Sequence, residues 1–517
     1  MAEKHHLTED EKVLHNMGYA QELARRMSGF SNFAISFSII CILAGGIGAY
    51  TVSLGAAGGG GVIVGWIVGS VFALLVAAAM GQIASAYPTA GGLYHWSSIL
   101  GGRGWGWATA WLNLAGLLFV VASVNYGVYL LLRDLVLVGI FGMDPASFTG
   151  THLLIAVAII TAVQGVMNYI GIRATTILTD FSGYLIFAIT LIIILGLLFG
   201  SPVPLDFSRM VTFKNYTGEA GANTWPATQS LFFAFVLGLL HVCYTITGFD
   251  ASAHTSEETQ DAQRSVPKGM LHAVFWSAIF GWVLVAVILL AMPSVDEGAA
   301  KGWSVFYYVL EASTMPKIIK DVIAVGIVVS NFLCALAGMT SLSRMIFAFA
   351  RDGGVPGISG WLRQINPTHR TPGPAILVGS VLVFVLGMVA GNDANAYIIL
   401  SSGCAVFLYV SYIMPIGAGV LAEGKSWNKK GPFDLGLWSK PVAILAIIGG
   451  GILAFVGFQP PYQLVGQFLI GLIVVLVVVW FAFERRRFQG PPLTEAAVKA
   501  RQSEIAARER ALETAAE

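Results

Sequence analysis

The chain has 517 residues, of which 56% are hydrophobic and only 11% charged, with a mean hydropathy of +0.75. That composition excludes an ordinary soluble globule and identifies a polytopic membrane protein. A net charge of +1 at pH 7 gives no bulk reason to expect nucleic acid as a partner, so the charges matter by position.

Residues 1–28 are polar and lack the apolar core of a signal peptide, so the first span itself is expected to direct insertion. Runs near bilayer-spanning length number twelve: roughly 29–54, 62–86, 104–132, 151–170, 175–200, 229–256, 270–292, 321–350, 375–391, 394–421, 442–458 and 464–483. With both termini cytoplasmic, 23 Lys and Arg fall on the inner side and 6 outside, which fixes the predicted topology. All four cysteines (Cys41, Cys243, Cys334, Cys404) lie in apolar runs without a CxxC or Cys/His cluster, so neither a disulfide framework nor a metal site is expected.

The first span contains Ala44-Gly45-Gly46-Ile47-Gly48, and about two hundred residues later the sixth contains Tyr244-Thr245-Ile246-Thr247-Gly248-Phe249-Asp250. The sixth run would measure about 40 Å if wholly helical, and its centre is polar, so it reads as a broken helix. Spans one to five then correspond to spans six to ten, and since five is odd the second copy enters from the opposite side. The predicted architecture is an all-α membrane protein with a 5+5 inverted-repeat, leucine-transporter-like core and discontinuous helices 1 and 6. Its parts are a cytoplasmic segment 1–28, repeats 29–200 and 229–421, an extracellular loop 201–228, a cytoplasmic loop 422–441, two extra helices in 442–483 and a cytoplasmic tail 484–517.

Unpaired N–H and C=O groups are costly in lipid, so an unwound turn survives where a cavity or ligand occupies it. Unwinding at Gly45, Gly46 and Gly48 costs little, and the freed N–H groups of the following half-helix suit a carboxylate. Carbonyls near Tyr244 to Thr247 suit an ammonium group, and the pair suits a zwitterion. The same glycines would also serve close helix packing, which is the preferred reading for Gly65 and Gly69. Asp250 is either a substrate contact or a structural tie. His241 lies one turn before Tyr244 and reads first as a packed histidine. Asn125, Gln164 and Asn168 read as interhelical glue, whereas Asn113 and Asn331, in the long third and eighth spans, are candidate substrate contacts.

Toward the inner side, residues 86–96 carry Pro, Gly and aromatic residues and read as a re-entrant or surface helix, or as an aromatic belt. Glu257 and Glu258 could pair with Arg344 and Arg351 as a cytoplasmic gate, with positive-inside topology as the plainer account of Arg351. Asn215-Tyr216-Thr217 is a glycosylation sequon that has meaning only in a eukaryotic host. From Thr494 onward the tail is Ala-, Glu- and Arg-rich and reads as a solvated helix or as disordered.

Several motifs occur in order: Gly18-Tyr19-Ala20-Gln21-Glu22-Leu23, Asn32-Phe33-Ala34-Ile35-Ser36-Phe37-Ser38, Ser85-Ala86-Tyr87-Pro88-Thr89-Ala90-Gly91-Gly92-Leu93-Tyr94, Gly248-Phe249-Asp250-Ala251-Ser252-Ala253-His254 with Glu257-Glu258-Thr259, and Ser343-Arg344 leading to Arg351-Asp352-Gly353-Gly354. Across spans one to ten the chain resembles the amino acid/choline transporter branch of the amino acid–polyamine–organocation permeases. The resemblance implies a secondary transporter of a small amino acid, 4-aminobutyrate favoured, with choline, ethanolamine or a polyamine as the alternative. It aligns Ala44 to Gly48 with a carboxylate-binding break and Tyr244 with an aromatic gate, with Phe249 beside it. Gln82 stands where relatives often carry Glu, and the fifth span lacks the Lys that some permeases place there.

No cofactor is expected, and the coupling ion stays open between H+ and Na+. A sodium site would use first-span carbonyls with Thr340 and Ser341, a proton site Asp250 or His241, and an exchanger neither. An intramembrane enzyme would need a convergent catalytic or metal constellation, and a channel a pore loop or charged ring; the sequence shows neither. The expected setting is a plasma (cell inner) membrane, with lipid and a small-molecule solute as partners and a monomer or homodimer as the assembly.

Overall fold

The computed structural model describes residues 7–218, 227–391, 395–492 and 494–514. Part of the predicted extracellular loop (219–226), the first residue of the predicted tenth span (Ala394) and the extreme ends of both predicted cytoplasmic segments lie outside the described residues.

After α1 (Glu9–Asn16), closed by a Thr8/Glu11 capping box, the membrane part begins with α2 (Gly29–Ile40) and α3 (Ala44–Ala86). A short α4 (Gly92–Gly101) leads into α5 (Arg103–Leu131), and α6 (Gly150–Ile170) and α7 (Ile172–Phe199) follow. Next come α8 (Leu231–Thr245), α9 (Ala251–His254) and α10 (Ala262–Leu290), then the loop helices α11 (Val295–Ala300) and α12 (Val305–Ala312). The chain continues through α13 (Lys317–Arg351), α14 (Ser359–Leu362), α15 (Gly373–Ala390), α16 (Asn395–Ala422), α17 (Ser439–Val456) and α18 (Gln463–Val479). It closes with α19 (Arg485–Arg487) and α20 (Glu495–Thr514).

Among the described residues, ten helical stretches are long and apolar enough to cross a membrane. The difference from twelve has two sources. The predicted first and second spans form one 58-residue stretch, Gly29–Ala86, turned at Cys41 and kinked at Ala57 and Gly58, where Gly58 takes φ 70°. Glycine is required at this corner, because a Cβ on Gly58 would meet the Lys214 main chain at 2.8 Å. The sixth span shrinks to the 15 residues of α8, about 22 Å of helix, because the chain leaves the helix at Ile246.

The core is built from helix pairs: α3 packs along α8 and α10, α5 against α13 and α16, and α2 against α7 and α10. Amide side chains tie α6 to α5 and α13, as expected for interhelical glue. Asn125 donates to Thr161 Oγ1 at 2.9 Å, Gln164 to Asn125 Oδ1 at 2.9 Å and Thr340 to Asn168 Oδ1 at 2.8 Å. The outer faces of α7, α15, α17 and α18 stay apolar and exposed, the lipid-facing arrangement of a bundle that must satisfy every polar group internally. The segment after Tyr87 is a buried helix rather than an exposed belt: Trp96 is fully buried and donates from Nε1 to the Tyr87 carbonyl at 2.8 Å.

The tail departs from its sequence reading. α20 is docked, with Ile505 buried and Arg508 paired to Glu22 at 2.7 Å, Arg501 to Asp352 at 3.3 Å and His15 to Glu509 at 2.8 Å. Its partners come from residues 15–22 and from the end of α13, so nothing within the tail announces them. The hydrogen bond to Glu509, against a smaller opposing effect of burial, raises the His15 imidazole above its ordinary value. Burial works to raise the Glu509 carboxyl, but the His15 and Gln21 N–H groups outweigh it and leave it lowered. The imidazole's contribution to docking is therefore complete below pH about 6.5 and is lost as pH rises through its raised value; the carboxylate's is lost only in acid. Amide exchange across 495–514 should accordingly show greatest excess protection over a His15→Ala variant at mildly acidic pH, with the difference vanishing in alkali. A pH-independent difference would refute this.

Candidate functional site

The first interruption lies at Cys41 to Leu43, not at the glycines. Cys41 takes the left-handed conformation (φ 36°, ψ 71°) and ends α2. Ala44 to Gly48 then form the first turns of α3, with the Gly45, Gly46 and Ile47 amides bonded to the carbonyls of Cys41, Ile42 and Leu43 at 2.9, 3.1 and 3.2 Å. Glycine serves close approach here: a Cβ on Gly45 would meet Thr245 Cγ2 at 2.9 Å, and one on Gly48 would meet the Tyr397 hydroxyl at 2.9 Å. The start of α3 has no side-chain cap at Leu43, and among the described residues the amides of Ile42, Leu43 and Ala44 reach no main-chain carbonyl; those of Leu43 and Ala44 turn to the Cys41 thiol instead.

The second interruption runs from Ile246 to Asp250, with Gly248 at φ 81°. Its loose main-chain groups are mostly taken up by side chains. Tyr409 donates to the Ile246 carbonyl at 2.7 Å, Ser36 to the Phe249 carbonyl at 2.8 Å, and the Gly248 amide donates to the Tyr412 hydroxyl at 3.2 Å. Among the described residues, the carbonyls of Cys243, Tyr244 and Thr245, at the end of α8, receive no main-chain N–H. One bond staples the two interruptions: Thr245 Oγ1 donates to the Gly45 carbonyl at 2.8 Å.

A cavity lies between them, lined by Ile40, Cys41, Ala44, Gly45, Tyr244, Thr245, Thr247 and, from facing helices, Val120, Val124, Asn331 and Cys334. Its free volume of about 20 Å³ is room for about one water, so the site is contracted. Trp303, on the turn after α11, and Tyr397 of α16 close one side, their rings edge to face at 4.7 Å. Tyr244 holds Ser123 at 3.2 Å and faces Tyr397 at 6.3 Å.

Of the residues singled out from sequence, Ala44, Gly45, Tyr244, Thr245, Thr247 and Asn331 line this cavity, whereas Gly46, Ile47, Gly48, Ile246, Gly248, Phe249, Asp250 and Asn113 do not. Asp250 is fully buried in a polar cluster, accepting from Tyr412 at 2.8 Å and Asn113 at 3.4 Å and standing 3.2 Å from His254 Nε2. Asn113 also donates to Ser411, so both residues join helices rather than face the cavity. Phe249 packs on Tyr412 with ring centroids 5.2 Å apart, away from the gate position. His241 sits between Ser401 and Tyr462, at 3.3 and 3.4 Å, as a packed histidine. The hydroxyls of Thr340 and Ser341 bond within α13, Thr340 also reaching Asn168. Cys334 is the α13 side chain that reaches a first-span carbonyl, that of Ile39, at 3.1 Å.

Sequence reasoning missed Trp303, Tyr397 and the cysteines Cys41 and Cys334. Tyr397 carries a signal: with Ser401, Tyr409 and Tyr412 it belongs to the polar residues of α16 that all meet the broken sixth span. The turn residue Trp303 carries none.

Beyond the cavity, toward the end bearing α1 and α20, two ion pairs seal the bundle. Arg344 donates to Glu258 at 2.9 and 3.1 Å, and Arg351 to Glu257 at 2.8 and 2.9 Å. Glu257, Glu258 and Arg344 are fully buried. Burial alone would push the Glu257 carboxyl up, but Arg351 and the Ala90 amide outweigh it and hold the group below the usual carboxylate range. Removing one partner of such a pair leaves an uncompensated buried charge, at a cost of about 3–5 kcal/mol. Thermal unfolding should show this loss for Glu258→Gln, with much of it recovered in E258Q/R344M; equal stability of wild type and E258Q would contradict the assignment.

Comparison with known proteins bears on the family of the chain. Residues 27–483 match the family model described as amino acid permease. The amino-acid permease BAT1 of Arabidopsis thaliana is 29% identical over 92% of this chain and 95% of its own length. Its homolog in Oryza sativa subsp. japonica is 30% identical over 92% and 94%, and amino-acid permease 2 of Neurospora crassa is 26% identical over 93% and 89%. Among solved structures, a manganese transporter from Eremococcus coleocola, crystallised with an aromatic bis-isothiourea compound, aligns with a TM-score of 0.51 at 14% identity. The alignment covers 89% of this chain and 96% of that one, a likeness of fold alone. The chain belongs to the amino acid permease family, as a multi-pass membrane protein.

Proposed function

We propose that this permease moves a small zwitterionic amino acid, 4-aminobutyrate within that class, by alternating access through the cavity between the two interruptions. The observation that carries the reading is the start of α3 at the cavity wall, where among the described residues the Leu43 and Ala44 amides reach no main-chain carbonyl and have only the Cys41 thiol, a weak acceptor, as partner. A buried helix N-terminus so weakly served keeps positive N–H groups that a carboxylate would satisfy better. The end of α8 opposite offers carbonyls and the negative end of its dipole to an ammonium group. Choline and polyamines lack the carboxylate, which disfavours them. On this reading the kink at Ala57 and Gly58 and the short α8 complete twelve spans in two inverted repeats, and the Lys and Arg excess puts both termini in the cytoplasm of a plasma membrane. The Arg344 and Arg351 pairs then form the inner seal, and Trp303 and Tyr397 yield to admit the solute. Thermal-shift measurements on purified protein should show stabilisation by amino acids and none by choline or polyamines; the reverse pattern would sink the zwitterion reading.

For coupling, the geometry favours a proton over sodium. The Thr340 and Ser341 hydroxyls are engaged within α13, while Asp250 and His254 form a buried acid–imidazole pair at 3.2 Å. In proteoliposomes, uptake should follow an imposed pH gradient and be indifferent to sodium. Asp250→Asn or His254→Gln should lower gradient-driven uptake at least about tenfold while counterflow exchange is less affected. Sodium-driven uptake, or unchanged pH dependence in both variants, would remove the pair as the coupling site.

A further inference from the structure

A groove of about 670 Å³, far roomier than the central cavity, lies on the outer surface between α2, α7 and α10. One wall is a single stripe of α10, with Lys268, His272, Trp276 and Phe280 following at every fourth residue. Twelve residues of helix rise about 18 Å, close to one leaflet of a hydrocarbon core about 30 Å thick. Along that length the stripe grades from ammonium through imidazole and indole to phenyl. The opposite wall is aromatic: Phe30 and Phe33 of α2 stand 5.8 Å apart, and Phe187 of α7 meets Phe280 edge to face at 5.0 Å. Stacking of Phe37 on both Phe33 and Phe187, at 5.3 and 4.5 Å, fixes these rings as one continuous wall. A groove held open in a bilayer by stacked rings is filled by lipid, since water gains no partners along it.

We infer that this groove is a binding site for one anionic phospholipid, with its phosphate at Lys268 and His272 and an acyl chain along the aromatic walls. Charge decides the headgroup. Both side chains are exposed, and no carboxylate of the described residues pairs with either, so the mouth is a cationic edge at the end of an apolar trough. That edge lies at the arginine- and lysine-rich end of the molecule, and the assignment of this end to the anionic cytoplasmic leaflet rests on the orientation proposed above. The occupant would also brace α2, the half-helix that precedes the first interruption, against α7 and α10.

Native mass spectrometry of the purified full chain, with phosphatidylglycerol and phosphatidylcholine of identical acyl chains, tests this without reference to transport. The wild type should retain phosphatidylglycerol about fivefold over phosphatidylcholine. The preference should fall to parity in K268Q/H272Q and persist in Lys268→Arg. Since both side chains are exposed, these variants leave the packing intact. Equal retention of both lipids by the wild type, an undiminished preference in K268Q/H272Q, or a stable dimer whose formation displaces both lipids would overturn the assignment, the last giving the groove to a second copy of the chain.

Discussion

The hydrogen-bond deficit of the interrupted sixth span is the constraint on which the rest of the structure depends. Breaking a helix in lipid strands main-chain groups that water cannot reach. Here the remedy comes from side chains of other helices. Ser36 serves the Phe249 carbonyl and the Ser252 amide, and Asn32 serves the Ser252 carbonyl while its own carbonyl accepts from Ser252 Oγ. Tyr409 and Tyr412 of α16 serve the other flank. These polar residues of α2 and α16 thus have one common task, and what they leave unserved borders the cavity.

This division of labour sets which parts can move together. α2 and the segment from Phe249 to Thr259 are bound by hydrogen bonds through Asn32 and Ser36, and again where the Arg26 and Met27 amides donate to the Glu258 carbonyl at 2.9 and 2.8 Å. They form one unit. Beside the bond from Cys334 Sγ to the Ile39 carbonyl, its ties to α13 are of another kind, the carboxylate–guanidinium pairs of Glu257 and Glu258. Such pairs balance a large desolvation cost against a large attraction, so exposure to water weakens the attraction and relieves the cost together. A contact of that type can separate when a mouth opens to water. A latticework of neutral bonds buried on both sides gains no such relief. The docked α20 adds further charge pairs at the same end, through Asp352 and Glu22, and so bears on the same joint.

Much of this was legible in the sequence, and the failures have physical causes. Apolar runs located the helices because bilayer thickness dictates their length, and the polar run in the sixth span marked its interruption. The glycines at 45, 46 and 48 misled. A glycine run reads alike whether it relaxes the backbone or admits a neighbour, and Thr245 and Tyr397 are the neighbours. The residue that does leave the helix, Cys41, carries no local signal for a left-handed conformation. Asp250 was visible as a buried charge, but its partners Tyr412, Asn113 and His254 come from three places in the chain. The tail was misread because its docking surface belongs to the other terminus.

The staple from Thr245 to Gly45 explains why the central cavity is so small and what its contraction accomplishes. It holds the start of α3 against the end of α8, so the positive and negative ends of two half-helices face a shared space of about 20 Å³. Opposed helix ends attract one another across a narrow gap, and Trp303 and Tyr397 close one side of it. A solute that wedges between the ends must replace that attraction with its own charges. A zwitterion can do so at both ends at once, whereas a purely cationic or apolar molecule of the same size would open the gap and leave one end bare. On the proposed reading, discrimination would follow from the cost of an unmatched helix terminus in a low-dielectric site and would require no charged side chain in the cavity wall.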